Sequence, residues 1–113
     1  MSRWKIEYYE DHRGIKPVET YIDSLPVEKQ ANIIRVFDLI EEFGIQLGEP
    51  YLKHIEGKIW EIRPGSERIL YFTFTGKKFV LLNGFTKKTR KTPKREIKIA
   101  QKRKKDHEEK NKC

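Results

Sequence analysis

The sequence predicts an α+β fold: a small twisted antiparallel sheet, made of an N-terminal strand and a three-stranded meander, with an N-terminal helix hairpin on one face and a C-terminal helix. Apolar residues alternate with period two at the start of the chain, and the pattern becomes β-like again from Tyr51 onward. Between residues 17 and 43 they recur at helical spacing instead, and short turns containing Gly or Pro separate the later strands.

The N-terminal half predicts one strand followed by two helices. Alternation over residues 3–9 indicates the strand. Pro17 suits the first turn of a helix over residues 17–25, whose apolar side chains fall on one face. A second apolar stripe predicts a helix over residues 27–43, and Gly44 is a natural stop. The short connection between the two helices favours an antiparallel hairpin.

The C-terminal half predicts three strands and one helix. Strands are expected near residues 58–63, 68–75 and 78–85, because two turns interrupt an apolar region. A helix is expected over residues 93–105. The 113 residues suffice for a single domain, whose last part, 102–113, is almost entirely charged and is expected to fray.

The predicted hairpin places a charge opposite an apolar residue. A four-residue loop sets Arg63 opposite Arg68 and Glu61 opposite Leu70. Either a bulge shifts this register, or one face of the hairpin is a half-covered cleft. We favour the cleft, because both arginines then lie on its rim.

The net charge of +8 is concentrated near the C-terminus. Residues 1–85 hold 12 Lys and Arg against 13 Asp and Glu, whereas residues 86–113 hold 13 against 4. Six of the ten residues from Thr86 to Arg95 are cations. A nucleic acid is therefore the leading partner class, and an anionic membrane surface is the weaker alternative.

Cysteine content and hydropathy favour a cytoplasmic protein. The only cysteine is Cys113, so no disulfide framework is expected within one chain. The N-terminus lacks an apolar signal core, and no apolar run approaches the roughly 18 residues of a membrane span. The chain is expected to act in the cytoplasm without a membrane partner.

Four cations are expected to converge. Arg63 and Arg68 are cross-strand neighbours, and like charges in that position destabilise a sheet unless they bind an anion. Lys87 and Lys88 follow the last strand, whose end adjoins the start of the strand that holds Arg68. The alternative is a solvated surface on which nearby carboxylates neutralise the arginines; the candidates are Glu56, Glu61 and Glu67.

Two further side chains allow a structural and a functional reading. Tyr71 is either a core aromatic with its hydroxyl at the edge, or a residue for base stacking or proton transfer. His54 stands alone, far from the other histidines, which is more typical of a structural role. No cluster of metal ligands and no Ser/His/Asp set is present, so no cofactor is expected.

An ordered series of motifs resembles a known toxin family. The series resembles the HigB-type, phage-derived branch of the RelE/ParE toxin superfamily over nearly the whole chain, from Ile6 to about Ala100. The matching segments are Gly48–Glu56, Ile59–Pro64, Arg68–Phe72, Phe85–Thr89 and Lys91–Pro93.

The resemblance implies the toxin of a type II toxin–antitoxin pair, an endoribonuclease that enters the ribosomal 30S A site and cuts mRNA without a metal. The family's catalytic positions correspond to Arg63, Arg68, Lys87 and Lys88. We assign RNA contacts to a second set, Lys91, Tyr71, His54, Lys94 and Lys104. The implied partner is a HigA-like antitoxin with a helix-turn-helix domain, through which alone the toxin would reach operator DNA.

Two alternatives remain open from the sequence. The ParE branch shares the fold and inhibits DNA gyrase, and a non-catalytic module would bind nucleic acid through its basic residues alone. RelE-like enzymes often keep a C-terminal tyrosine, but no tyrosine follows Tyr71 here. The acid and base of the reaction are therefore unassigned from sequence.

Overall fold

The computed structural model describes residues 3–112 and confirms the α+β class, with five strands and three α-helices in that range. The strands are β1 (Lys5–Tyr8), β2 (Leu52–Glu56), β3 (Ile59–Ile62), β4 (Glu67–Phe74) and β5 (Lys78–Thr86). The helices are α1 (Pro17–Asp23), α2 (Val27–Phe43) and α3 (Lys94–Lys110), and a short 3₁₀ turn, Gly44–Leu47, follows α2. None of the described helices has the length and apolar character needed to cross a membrane.

The sheet differs from the prediction in two details. Its order is β1-β5-β4-β3-β2, so β2 adds a fifth strand at the edge next to β3. The pairs from β2 to β5 are antiparallel, as expected, but β1 pairs with β5 in parallel. The helices between β1 and β2 form a long connection that brings β1 to the far edge, and a parallel neighbour requires such a crossover.

Each face of the sheet carries its own apolar cluster. The first cluster combines α1 and α2 with side chains of the sheet, including Val18, Ile33, Ile40, Ile69 and Phe79. The second lies on the face covered by α3 and is formed by Tyr9, Ile59, Leu70, Phe72, Val80, Leu82 and Ala100. The sheet is therefore buried on both sides, and polar side chains facing α3 need partners within the protein.

The register between β3 and β4 is the one that the loop length predicts. Glu61 pairs with Leu70, and Ile62 pairs with Ile69. Register irregularities lie instead between β4 and β5, at Leu70 and Tyr71, and between β2 and β3, at His54 and Glu56. Glu61 and Leu70 both lie on the α3 face and both are buried. The structure therefore does place the Glu61 carboxylate opposite the apolar Leu70, and that carboxylate is buried.

The expectation that residues 102–113 fray is wrong for the described part of that segment. Helix α3 continues to Lys110, while Cys113 lies outside the described residues. Arg103 donates to the Leu82 carbonyl at 3.0 Å, and Tyr9 donates to Asp106 at 2.6 Å. His107 packs its ring against Phe72 and Phe74. These contacts anchor a helix whose composition alone suggested disorder.

Gly44 offers a test of this packing. It has a φ of 60°, and a Cβ at this position would overlap the Trp4 indole. We expect Gly44→Ala to lower the free energy of unfolding by about 2–5 kcal/mol, because backbone strain and overpacking add. Gly57→Ala is the matched control, since Gly57 has a φ of 56° and no atoms near its Cβ position. Urea denaturation measures both; equal losses would contradict the packing argument.

Candidate functional site

Three of the predicted cations meet at the edge of the sheet where β3 and β5 end and β4 begins. Arg68 pairs with Phe85 in the β4–β5 register, so the end of β5 lies beside the start of β4. The Lys87 amide donates to the Ser66 carbonyl at 2.9 Å, which fixes the residue beside the β3–β4 loop. Arg63 leaves β3 at the same end. The expected convergence therefore holds for Arg63, Arg68 and Lys87.

Glu61 lies at the centre of this group. Its Oε1 is 3.6 Å from the Nε atoms of both Arg63 and Arg68. Its Oε2 accepts a hydrogen bond from the Thr92 hydroxyl at 2.8 Å. Only 1% of the residue is exposed. Among the carboxylates considered from sequence, Glu61 is thus the one that faces both arginines.

The other two acidic candidates have different partners. Glu67 forms an ion pair with Lys29 at 2.8 Å. Glu56 accepts a hydrogen bond from Gln101 at 2.6 Å. One carboxylate, Glu61, is therefore shared by two guanidinium groups, and the cluster keeps a net positive charge.

Arg68 is held firmly and yet has an unused donor. It is 8% exposed, and its Nη1 donates to the carbonyls of Gly65 and Glu67. Its Nε is buried and has no hydrogen-bond partner among the described residues. Burial and the nearby Arg63 charge lower the pKa of Arg68, with Glu61 opposing them. With one carboxylate shared between two guanidinium groups, the cluster keeps a positive potential that favours an anionic ligand nearby.

The surroundings of Lys87 disfavour its ammonium form. Partial burial lowers its pKa below the ordinary value, and the charges of Arg68 and Arg63 lower it further. Glu61 acts in the opposite direction. A lysine can exchange protons near neutral pH only when its pKa is depressed in this way.

An open groove of about 670 Å³ lies beside the cluster. One wall is β2 with Glu61 of β3, and the other is the loop from Lys87 to Pro93 with the start of α3. Its charged lining residues are Lys53, Glu56, Glu61, Lys87, Arg90, Lys91 and Lys94. Five cations face two carboxylates, so the groove suits the phosphate backbone of a nucleic acid.

Lys53 is a member of the cluster that the sequence analysis missed. It pairs with Glu61 in the β2–β3 register, which places the two side chains on the same face. Its charge contributes to lowering the pKa of Lys87. Lys53 can be placed beside Glu61 only when β2 is known to be a strand, because the two residues are neighbours across the β2–β3 pair.

The remaining loop residues divide into two groups. Lys91 and Lys94 line the groove and are exposed, as expected of RNA contacts. Lys88 is exposed but does not line the groove. Of these two adjacent lysines, only Lys87 lines the groove and has a backbone hydrogen bond to the β3–β4 loop.

Of the other three predicted RNA contacts, Tyr71 and Lys104 lie away from the groove and His54 borders it. Tyr71 is 1% exposed and stacks on Phe79 in the cluster beneath α1 and α2, so base stacking by Tyr71 is excluded in this fold. His54 borders the groove, but its ring packs on Trp60, which lies on the opposite face from Glu61. The Lys104 ammonium forms an ion pair with Glu108 at 3.1 Å. Local spacing did not reveal these contacts.

No group of three or more His, Cys, Asp or Glu side chains within residues 3–112 is arranged to hold a metal ion. The charged groups at the site are guanidinium, ammonium and carboxylate groups. Such groups can bind a phosphate, neutralise charge that develops on it, and move protons.

The fold is that of RelE proteins. The chain superimposes on RelE of the archaeal RelE–RelB complex from Pyrococcus horikoshii OT3 with a TM-score of 0.57 and 16% identity, covering 74% of this chain and 93% of that one. For the toxin–antitoxin complex RelBE2 of Mycobacterium tuberculosis the TM-score is 0.55 and the identity 17%, covering 77% and 94%. At these identities the likeness establishes the shared fold.

The family follows from the sequence itself. Residues 20–105 match the model of the family described as "Phage derived protein Gp49-like (DUF891)". The chain belongs to this family. The match confirms the resemblance to the phage-derived branch of the RelE/ParE superfamily. No significant match is found among curated protein sequences.

Proposed function

We propose that this protein is the toxin of a type II toxin–antitoxin pair and cuts mRNA on the ribosome without a metal ion. The observation that carries the proposal is the cluster of Arg63, Arg68 and Lys87 around Glu61, at the wall of a basic groove. A module that only binds nucleic acid needs exposed cations. It has no need of a buried arginine with an unused donor or of a lysine with a lowered pKa.

In the proposed reaction the RNA strand lies in the groove and its scissile phosphate meets the two arginines. Lys87, as the neutral amine, accepts the proton of the ribose 2′-hydroxyl, whose oxygen attacks phosphorus. The P–O5′ bond breaks to leave a 2′,3′-cyclic phosphate, water protonates the departing 5′-oxygen, and the proton held by Lys87 returns to the resulting hydroxide. Arg63 and Arg68 stabilise the charge that accumulates on the phosphoryl oxygens.

The implied partners follow from the family and the fold. The two RelE chains compared above come from complexes named for both members of the pair. We propose a HigA-like helix-turn-helix antitoxin for this chain, with operator DNA bound only through that complex. The ribosomal 30S A site supplies the mRNA, and the site of action is the cytoplasm.

The test of the proposed function is primer extension on mRNA bound to purified ribosomes. We expect cuts within codons in the A site, and we expect them to persist when a chelator removes free divalent ions while polyamines keep the ribosomes assembled. The same preparation is assayed on DNA gyrase. Gyrase inhibition with intact mRNA would support the ParE-like alternative, and strict dependence on an added divalent ion would contradict metal-free cleavage.

Exposed lysines on α3 are proposed to dock the protein on ribosomal RNA. Lys102 and Lys105 are exposed and form no ion pair within the described residues, unlike Lys104. Changing both to Gln is expected to reduce the salt slope of ribosome binding by roughly 1.4, at about 0.7 per single-stranded phosphate contact. Turnover at saturating ribosome should stay unchanged.

The matched control for this prediction is the double change of Lys5 and Lys77 to Gln, which removes equal charge. Both residues are exposed and lie at the β1–β5 edge, across the sheet from β2. Co-sedimentation across a salt series gives the slopes. Equal slopes for the two variants would show that net charge alone, and no defined α3 surface, governs docking.

A further inference from the structure

Glu61 makes contacts that no other described carboxylate makes, and the proposed chemistry does not yet use it. We infer that Glu61 is a positioning residue that holds Arg63 and Arg68 together and fixes the basic loop to the sheet. The inference deepens the proposed ribonuclease function and rests on it for its catalytic consequence. Its structural consequence, order in the two guanidinium groups, can be tested without any cleavage.

The guanidinium groups of Arg63 and Arg68 repel each other. Both extend from the ends of adjacent strands, and the charge of Arg63 lowers the pKa of Arg68. Because Arg68 is largely buried, water screens this repulsion weakly. Glu61 Oε1 lies 3.6 Å from each Nε, so one negative charge offsets two positive ones. Without Glu61 the two guanidinium groups would separate.

Glu61 also holds the basic loop that precedes α3. Thr92 lies just before α3, in the loop that also carries Lys91, and its hydroxyl donates to Glu61 Oε2 at 2.8 Å. This bond joins the two walls of the groove. The same carboxylate thereby sets the position of the arginines and the width of the groove beside them.

The burial of Glu61 favours a positioning role over proton transfer to the substrate. Glu61 is 1% exposed, with Thr92 on one oxygen and both arginines near the other. A ribose hydroxyl would have to displace these groups to reach it. Both Arg–Glu distances exceed hydrogen-bond length, and Arg68 Nε lacks a partner. Glu61 therefore holds the arginines by charge and proximity and does not occupy their Nε donors with hydrogen bonds.

The experiment compares Glu61→Gln with Glu56→Gln. Both changes remove one negative charge from the groove lining and keep the side-chain shape, but Glu56 has Gln101 as its partner and no arginine. We expect Glu61→Gln to lower single-turnover kcat about 10- to 100-fold, as is typical when a supporting residue is lost, with KM unchanged or lower. Because Glu56 lines the groove but faces no arginine, Glu56→Gln is expected to change KM while kcat stays within about twofold of the native value.

Two further readouts keep the inference testable. In NMR spectra of the free protein, Glu61→Gln should broaden or shift the Nε–Hε signals of Arg63 and Arg68, whereas Glu56→Gln should not. Thr92→Val removes the hydrogen bond that fixes Glu61 Oε2, so it should shift the arginine signals and lower kcat, both by less than Glu61→Gln does. The double variant of residues 61 and 92 should be no worse than Glu61→Gln alone, because both changes break one network.

The outcomes separate the two proposals. If the native protein cuts no RNA but the arginine signals respond to Glu61→Gln alone, the proposed function fails and the positioning role stands. Urea denaturation shows whether Glu61→Gln remains folded; if it does not, Thr92→Val carries the test through its own arginine signals. Equal behaviour of Glu61→Gln and Glu56→Gln, or unchanged arginine signals in Thr92→Val, would overturn the inference.

Discussion

Replacing Arg68 with alanine is expected to lower single-turnover cleavage by on the order of 100- to 1,000-fold, the usual loss when one preorganised donor to a transition-state anion is removed. Arg68 is the more firmly held of the two arginines, because its Nη1 is fixed by two backbone carbonyls. Binding to the ribosome should change far less. Growth arrest on expression should disappear with it.

The structure also identifies the control that this variant needs. Arg68→Ala leaves the carbonyls of Gly65 and Glu67 without their donor, so some loss of stability is expected. Arg68→Lys keeps the charge but cannot form the two-point contact of a guanidinium, and should also lose most of the activity. A folded Arg68→Lys protein with full cleavage would show that charge alone suffices. A folded Arg68→Ala protein that still arrests growth at matched expression would remove Arg68 from the mechanism.

Strong periodicity made most of the fold predictable from sequence. The helices over 17–25 and 27–43 were expected within two residues of α1 and α2, and the four-residue loop gave the β3–β4 register. β2 was missed because only Leu52 of its five residues is buried, so no alternation is visible. The parallel pairing of β1 depends on where the chain returns after the helices, which local patterns do not specify.

The site was predictable to the extent that it depends on the ends of neighbouring strands. Arg63, Arg68 and Lys87 were found in this way. Glu61 appeared only as a possible neutralising charge, because its burial depends on α3 and on Thr92 across the groove. Lys104 was assigned to RNA although its neighbour on the next helical turn, Glu108, pairs with it. The two residues are four positions apart on one helix, a spacing at which opposite charges commonly pair.

The environment of the Tyr71 ring could not be inferred from the residues next to it in the sequence. A tyrosine beside cationic strand ends suggests base stacking, but alternation turns its ring toward α1 and α2, away from Glu61. Burial raises the pKa of its phenol, which disfavours proton transfer near neutral pH. The side chain stabilises the core, and the proton carrier must be sought among the cations.

Lys87 is the residue for which we predict the second large effect. Changing it to Met should lower single-turnover kcat by about 100-fold or more, the usual contribution of a general base. Lys88→Met is the matched control, since Lys88 is the next residue, is exposed and does not line the groove. It should weaken ribosome binding slightly and leave kcat unchanged. Equal losses of affinity in both variants, with kcat intact, would make Lys87 an anchor.

The pH dependence decides which role Lys87 plays. Its pKa lies below the ordinary 10.5, because burial and the two arginine charges disfavour the ammonium form. A base acts as the neutral amine, so kcat should rise with pH until the pH reaches this lowered pKa, and then level off. Lys87→Arg keeps a cation but cannot lose its proton, so it should lose both the rate and the rising limb. Were Lys87 only a transition-state cation, Lys87→Arg would retain activity, and the native rate would fall as the pH passes the same pKa. Because Glu61 favours the ammonium form, Glu61→Gln should move the rising limb to lower pH, which links the positioning carboxylate to the proton carrier in one measurement.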